Sequence, residues 1–500
     1  MPPASPFRKN APRRSPFGNC FHAPQIPAAS SGEFRCIKVG YSCLCGRVAA
    51  VNETAKPASG RKSPNLERHV PTPEYQFINT QSQLDQFVTQ YALSPQVALD
   101  TEFVSEDSYR PELCLVQVAV EGRIFLIDPL APLDLQRFWD WLVEGKRRTI
   151  VHSGREELRF CWQATGRFPQ DVFDVQLAAA LIGFPYPASY ATLVATLLGE
   201  QLSKGETRSD WRRRPLGKRQ SEYAAQDVAY LEPLARELAG RLQATGRMGW
   251  LAEEVATQQQ VIRQQEEEQA WWRLPLLDRL TRRGLAIARN LWLWREAEAA
   301  RRNIPPRWLL RDDLIVELAR RQSADPRHIQ SLRGMEKKHL ARCIPEIARE
   351  VQKALELDES DLPDKPVRRN RPKLTVSGQL LSAVLGSICH QVGVAASLVA
   401  TTDDVREWIA YRLDLPGAPK TAPRLARGWR AEVIGRKFED ILAGRLCLRI
   451  RDPASDQPLE WLPCPEPITG ATCSTDHSGS DAPSAPTPAN ADPPVEPRSG

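Results

Sequence analysis

The chain has 500 residues, 42% hydrophobic and 26% charged, enough for two to four globular domains of ordinary composition. No apolar run approaches the roughly 20 residues that a membrane helix needs. The eleven cysteines are scattered and odd in number, which argues against a disulfide framework and for a reducing, cytoplasmic setting. Cys36, Cys43 and Cys45 have no second pair at zinc spacing. The net charge of +6 is local: residues 1–70 carry 11 Lys/Arg against 3 Asp/Glu, and the remaining 430 residues total −2. Nucleic-acid binding by the folded part must therefore rest on patches.

In chain order, residues 1–70 are rich in Pro, Ser and Arg, with no acidic residue before Glu33. They read as a basic disordered arm or a targeting segment. Residues 71–248 alternate strand and helix signals. Val97 to Val104 is a predicted strand. Leu113 to Val120 and Arg123 to Ile127 are two more, joined through Glu121-Gly122 as a tight hairpin. Leu133 to Leu142 reads as a helix, and Thr149 to His152 as a short strand entering a helix near Arg155. Residues 174–183 and 217–244 have helical spacing. Strand signals then fade. A charged helix over 250–270 is followed by amphipathic helices to 352, a linker over 357–373, more helices over 376–445, and a Pro/Ser/Ala-rich disordered tail over 465–500.

The chemistry concentrates in three places. Asp100 and Glu102 are two apart on one strand, so both carboxylates face one side. Among Leu99, Phe103 and Val104, such a pair is costly unless paired or bound to metal, and magnesium and manganese take oxygen ligands. Tyr223 and Asp227, at i and i+4, share a helix face beside the small Ala224 and Ala225. Glu156 and Glu157 open a helix after Val151-His152-Ser153-Gly154. A first-turn acidic residue favoured by the helix dipole accounts for Glu156. Asp174, before Val175-Gln176-Leu177, suits a helix N-cap.

Taken in order, D-T-E-F on a strand, H-x-G-x-x-E-L at a turn and Y-A-A-x-D on a helix resemble the three motifs of ribonuclease D. That family belongs to the DEDD 3′→5′ exonucleases with tyrosine in the third motif. Leu126-Ile127-Asp128-Pro129, Phe173 to Ala179, Ser209-Asp210-Trp211 and Arg214-Pro215-Leu216 extend the match over about 75–245. The resemblance implies a ribonuclease H-like mixed-sheet exonuclease domain (71–248) followed by all-α HRDC-like domains. It implies two divalent ions, Mg²⁺ or Mn²⁺. Asp100, Glu102 and Asp227 would hold the ion that activates water, Asp100 and Glu157 the other, and Tyr223 would orient the water. His152 is assigned to structure. One departure stands out: Glu157 occupies the family's usual aspartate position, its added methylene moves the carboxylate, and adjustment at Ser153-Gly154 is expected to compensate.

Residues 265–352, with Leu293 to Glu296, Arg301 to Leu314 and Leu332-Arg333-Gly334-Met335, look like an HRDC domain. Its chain should leave one helix through Ile304-Pro305-Pro306 and re-enter another near Asp312. Residues 374–445, containing Gly428 to Gly435, resemble a second HRDC-like unit, in which Arg424, Arg427, Arg430, Arg436 and Lys437 are expected to meet phosphate. The implied activity is a metal-dependent 3′→5′ exoribonuclease. It would release nucleoside 5′-monophosphates and trim RNA with single-stranded 3′ ends, such as tRNA precursors, without a membrane or an obligate protein partner. The alternatives are a DNA 3′→5′ exonuclease and an RNA-binding protein weakened at Glu157.

Overall fold

The computed structural model describes residues 73–202, 209–365, 376–455 and 457–464. The predicted basic arm, the Pro-rich tail and most of the basic half of the 357–373 linker lie outside these residues.

A six-stranded mixed sheet organises residues 75–244. Its strands are β1 (Tyr75–Ile78), β2 (Gln96–Val104), β3 (Glu112–Val120), β4 (Arg123–Ile127), β5 (Arg148–Val151) and β6 (Asp171–Asp174), in the order β1-β4-β3-β2-β5-β6. Strands β2, β3 and β4 pair antiparallel; β1 joins β4, β5 joins β2 and β6 joins β5 in parallel. The β3–β4 hairpin turns at Glu121 (φ 49°) and Gly122 (φ 74°), the two successive positive φ values of a twist-matched two-residue turn. Helices α1 (Gln81–Gln90) and α2 (Gln136–Glu144) cover one face, where Phe87 packs edge-on against Phe125 and Trp141. Helix α3 (Arg155–Thr165) follows β5, and α4 (Val175–Ala180) follows β6. After α5 (Tyr190–Leu193), α6 (Lys218–Ala229) covers the opposite face, packing on β2, β3 and β4, and α7 (Leu231–Ala244) closes the unit.

Two expectations needed correction here. The helix expected over 174–183 starts only at Val175, because Asp171–Asp174 forms edge strand β6. The helix expected over 217–244 breaks at Tyr230, which leaves helical geometry (ψ 2°) and separates α6 from α7.

Helix α8 (Met248–Glu267) leads to a helical region: α9 (Arg282–Arg302), α10 (Pro306–Leu309), α11 (Asp312–Arg321), α12 (Pro326–Gln330), α13 (Lys338–Ala341) and α14 (Ile344–Leu355). α9 ends at Arg302, where Asn303 turns left-handed (φ 49°) ahead of the two prolines, and Pro306 starts the short α10 as its first residue, the position where a missing N–H costs nothing. The next segment holds α15 (Val376–Val392), α16 (Ala396–Val399) and α17 (Thr402–Arg412), and continues in short helical turns to Leu442. Beyond the helical domain expected over 374–445, β7 (Leu446–Ile450) and β8 (Leu459–Pro463) form an antiparallel hairpin. Each strand is five residues long with a single charged residue, so no period-two alternation marked it, and none of its residues is more than partly buried.

The cores do not follow chain order. The apolar core under the sheet runs on into α15–α17 and Trp429, whereas α9–α14 form a core of their own around Leu285, Ile315 and Ile347.

Candidate active site

The site is built where β2, the middle of the sheet, meets α3 and α6. Asp100 and Glu102 rise from β2 on the face covered by α6. On that face their cross-strand neighbour Leu115 packs with Leu126, Trp211 and Ala224. The small Ala224 and Ala225, both fully buried, let α6 approach the sheet and bring Tyr223 and Asp227 over it. Tyr223 stands with its ring 6.3 Å from that of Trp211 and donates a hydrogen bond to Asp227. Asp100, Glu102, Tyr223 and Asp227 are partly exposed; Glu157 is buried at 5%.

Electrostatics tie the group together. Burial lifts the Asp100 carboxyl well above its ordinary value, and the charges of Glu157, Asp227 and Glu102 push it further. Burial, then Asp227 and Glu157, raises Glu102 to about 8. Asp227 rises to about 7 through burial, against the pull of the Tyr223 hydrogen bond. Glu157 reaches about 7, also through burial, opposed by the Thr101 hydroxyl. Burial and the nearby Asp227 and Glu102 charges keep the Tyr223 phenol neutral far above its normal range. Among the described residues, the charges that weigh most on these four carboxylates are all acidic. Crowded, desolvated carboxylates among like charges form an oxygen-only donor set that suits a hard divalent cation.

As the side chains stand, no three His, Cys, Asp or Glu residues among those described converge as an ion-holding cluster. Glu157 is turned onto Thr101, whose hydroxyl donates to its Oε1 at 2.6 Å. Thr101 alternates to the other side of β2 from Asp100 and Glu102, so its hydroxyl draws the Glu157 carboxylate away from theirs. The carboxylates are near enough to repel one another, and coordination would draw them inward.

Asp174 is not part of this group. It caps α4 by accepting from the amides of Gln176 (2.9 Å) and Leu177 (3.2 Å), and it also accepts from those of Ser153 and Gly154, both at 3.1 Å. It therefore pins the turn that aims α3. That turn is not the adjustable element expected from its glycine. Ser153 is already at φ 58°, and a Cβ on Gly154 would meet Val151 Cγ2 at 2.3 Å. Glu156 pairs with Arg159 at 2.8 Å. His152 is 3.0 Å from the Ala188 carbonyl, a structural position.

Sequence reasoning did not single out Thr101, although a polar residue facing the buried side of a strand was a usable signal. It also passed over the clamp in which Arg214 holds Asp128 through two bonds of 2.7 Å, and the Cys114 carbonyl at 2.6 Å. This clamp fastens the loop before α6 to β3 and β4. Of the five cationic residues expected to meet phosphate, Arg430 is withdrawn and Arg424 is paired, while Arg427 and Arg436 are exposed. Arg430 is buried and forks onto Glu254, which further accepts from Arg424 (3.2 Å) and Trp429 Nε1 (2.9 Å).

Comparison with known proteins bears directly on this geometry. Residues 75–243 match the family model described as 3′-5′ exonuclease, and residues 284–351 match that of the HRDC domain. Ribonuclease D of Sphingobium indicum is 33% identical over 387 residues, 75% of this chain and 96% of that protein. Ribonuclease D of Granulibacter bethesdensis is 32% identical over 76% of this chain and 95% of the relative. The chain belongs to the ribonuclease D family. The crystal structure of Escherichia coli RNase D, an exoribonuclease involved in structured RNA processing, superposes with a TM-score of 0.64 at 27% identity, covering 74% of this chain and 98% of that one. The strand, turn and helix that meet at the candidate site all lie within residues 75–243, the span of the exonuclease match.

Proposed function

We propose that this protein is a metal-dependent 3′→5′ exoribonuclease that trims the 3′ ends of structured RNAs, tRNA precursors among them. The observation that carries the reading is the gathering of four crowded carboxylates and a neutral tyrosine where β2 meets α3 and α6. Asp100, Glu102, Asp227 and Glu157 are the residues that would hold two divalent ions, Mg²⁺ or Mn²⁺. Ions bound there supply the Lewis acidity that stabilises the attacking and leaving oxygens of an in-line displacement at phosphorus. Tyr223, neutral and hydrogen-bonded to Asp227, has its phenol oxygen free to accept from a water and align it. The water oxygen bonds to phosphorus as the P–O3′ bond breaks, leaving a nucleoside 5′-monophosphate and an RNA one residue shorter.

The matched HRDC domain, and a second HRDC-like unit over 374–445, would contribute RNA affinity rather than chemistry. The test is hydrolysis of matched RNA and DNA oligonucleotides under metal titration. RNA should be degraded from its 3′ end, with activity lost after chelation and restored by Mn²⁺. Asp227→Asn, nearly isosteric, should lose at least 100-fold in turnover while keeping its fold. Hydrolysis surviving exhaustive metal removal would sink the proposal, and preference for DNA would reassign the substrate. RNA binding without turnover would leave an RNA-binding protein disabled at Glu157.

A further inference from the structure

Strand β3 holds one polar side chain between Cys114 and Val120, that of Gln117. It is fully buried. Neither its Nε2 nor its Oε1 has a hydrogen-bond partner. Buried amides are normally satisfied, and an apolar side chain of the same size would fit such a strand at lower cost. The position of this amide supplies a reason for it. Gln117 is the cross-strand register partner of Asp100, and directly opposed residues of an antiparallel pair project to the same face with Cβ atoms about 4.5–5.5 Å apart. That face is the one under α6, where Leu115 and Leu126 pack with Ala224 and Tyr223. An unpartnered donor thus lies beside a carboxylate whose charged neighbours are all acidic.

We propose that Gln117 is a positioning residue for Asp100. When the site takes up divalent ions, its side-chain NH₂ donates to one carboxylate oxygen of Asp100 and leaves the other directed at the ions. A donor in this place favours the ionised carboxylate and fixes its rotamer, as partners of ligating carboxylates generally do. The donation to Asp100 belongs to the loaded site and gives the buried amide its partner. This inference rests on the reading of Asp100 as a ligand.

The experiment uses the full chain, stripped of metal. Mn²⁺ affinity is measured by electron paramagnetic resonance, alongside thermal unfolding and steady-state kinetics on a 3′-tailed RNA. Gln117→Met keeps the bulk and removes the donor; Gln117→Glu keeps the shape and replaces the donor by a carboxylate. Both should bind Mn²⁺ about 10- to 100-fold more weakly, the usual effect of losing a partner of a metal ligand. Both should lose kcat while KM for RNA stays put. The metal-free Gln117→Met protein should melt no lower than wild type, since it loses an unsatisfied group. Wild-type Mn²⁺ affinity in Gln117→Met overturns the proposal. A lowered melting temperature with unchanged affinity also overturns it, making Gln117 a packing residue. Asp100→Asn separates the two levels: if it binds Mn²⁺ normally, the ligand reading fails and takes the positioning role with it.

Discussion

Glu157 is where residue-scale reasoning is most exposed. Its place in the second motif was readable from the sequence; its rotamer was not, because the bond that sets it comes from Thr101, 56 residues earlier. The carboxylate is buried and accepts a short hydroxyl bond, so removing its charge and altering its length have different consequences. Glu157→Gln should abolish turnover, as it removes an anionic oxygen while keeping the reach to Thr101. Glu157→Asp withdraws the carboxylate by about one carbon–carbon bond. A displacement of about 1 Å can change rates by roughly 100-fold, and here the shorter arm restores the family's residue, so this variant should stay active. Thr101→Val should raise the Glu157 pKa further, since the hydroxyl opposes the effect of burial. Its optimum for single-turnover cleavage at saturating Mn²⁺ should move to higher pH. Full activity in Glu157→Gln would assign that role to another carboxylate.

At the scale of elements, the strands with long apolar runs were legible: β2, β3 and β4 follow their predicted bounds within a residue, whereas α6 starts where expected and ends early at Ala229. The edge strands were not legible. β1 and β6 have four residues each, too few for period-two alternation to emerge, and β6 ends on the same Asp174 that caps the next helix. That double use gives Asp174 an effect larger than a cap. Four backbone amides from two turns converge on its oxygens. Hydrogen bonds to a charged acceptor contribute about 1.5–3 kcal/mol each, though not additively, and loss of an N-cap costs about 1 kcal/mol. Asp174→Ala should therefore destabilise by about 2–4 kcal/mol in urea unfolding. It should also weaken catalysis, because the Ser153-Gly154 turn sets the origin of α3 and hence of Glu157. An effect under 1 kcal/mol would show that the turn holds itself.

At the scale of the whole molecule, chain order conceals which parts fold together. The sheet's core continues into α15–α17 and Trp429, and Glu254 on α8 is locked to Arg430 and Trp429. A chain cut after about residue 248 would therefore strip the exonuclease part of packing as well as of RNA contacts. Burial pushes the Glu254 carboxyl up, but hydrogen bonds and charge from Arg430 outweigh it and hold it below its ordinary 4.5. A depressed folded-state pKa gives stability that is present above the unfolded value and lost as pH falls through the folded one. The Arg430→Met protein keeps Arg424 and Trp429 on Glu254. Near neutral pH it should lose somewhat less than the about 3–5 kcal/mol of a fully orphaned buried charge, and much less below pH 4. Equal losses at both pH values would reduce Arg430 to packing. RNA affinity is better tested on α9–α14, whose core is separate from that under the sheet. There a groove of about 450 Å³ is lined by Arg302, Arg307, Arg311, Lys337, His339 and Trp308, and Trp308 is 58% exposed. Arg307 and Arg311 pair with Asp312 and Asp313 at 3.0 and 2.8 Å, and Arg302 with Glu298; bridges of such exposed arginines are weak enough for phosphate to displace. An exposed indole among cations suits an unpaired base stacked beside its backbone, worth about 1–3 kcal/mol per base. Trp308→Ala should weaken binding of a 3′-tailed hairpin RNA about 10-fold with the salt slope unchanged. Lys337→Ala should weaken it less and flatten the slope by close to one phosphate contact. Neither should alter kcat on a short single strand that cannot span from the active site to the groove. If both variants bind the hairpin like wild type, the groove is a packing feature and affinity must come from the exonuclease part or the C-terminal helices.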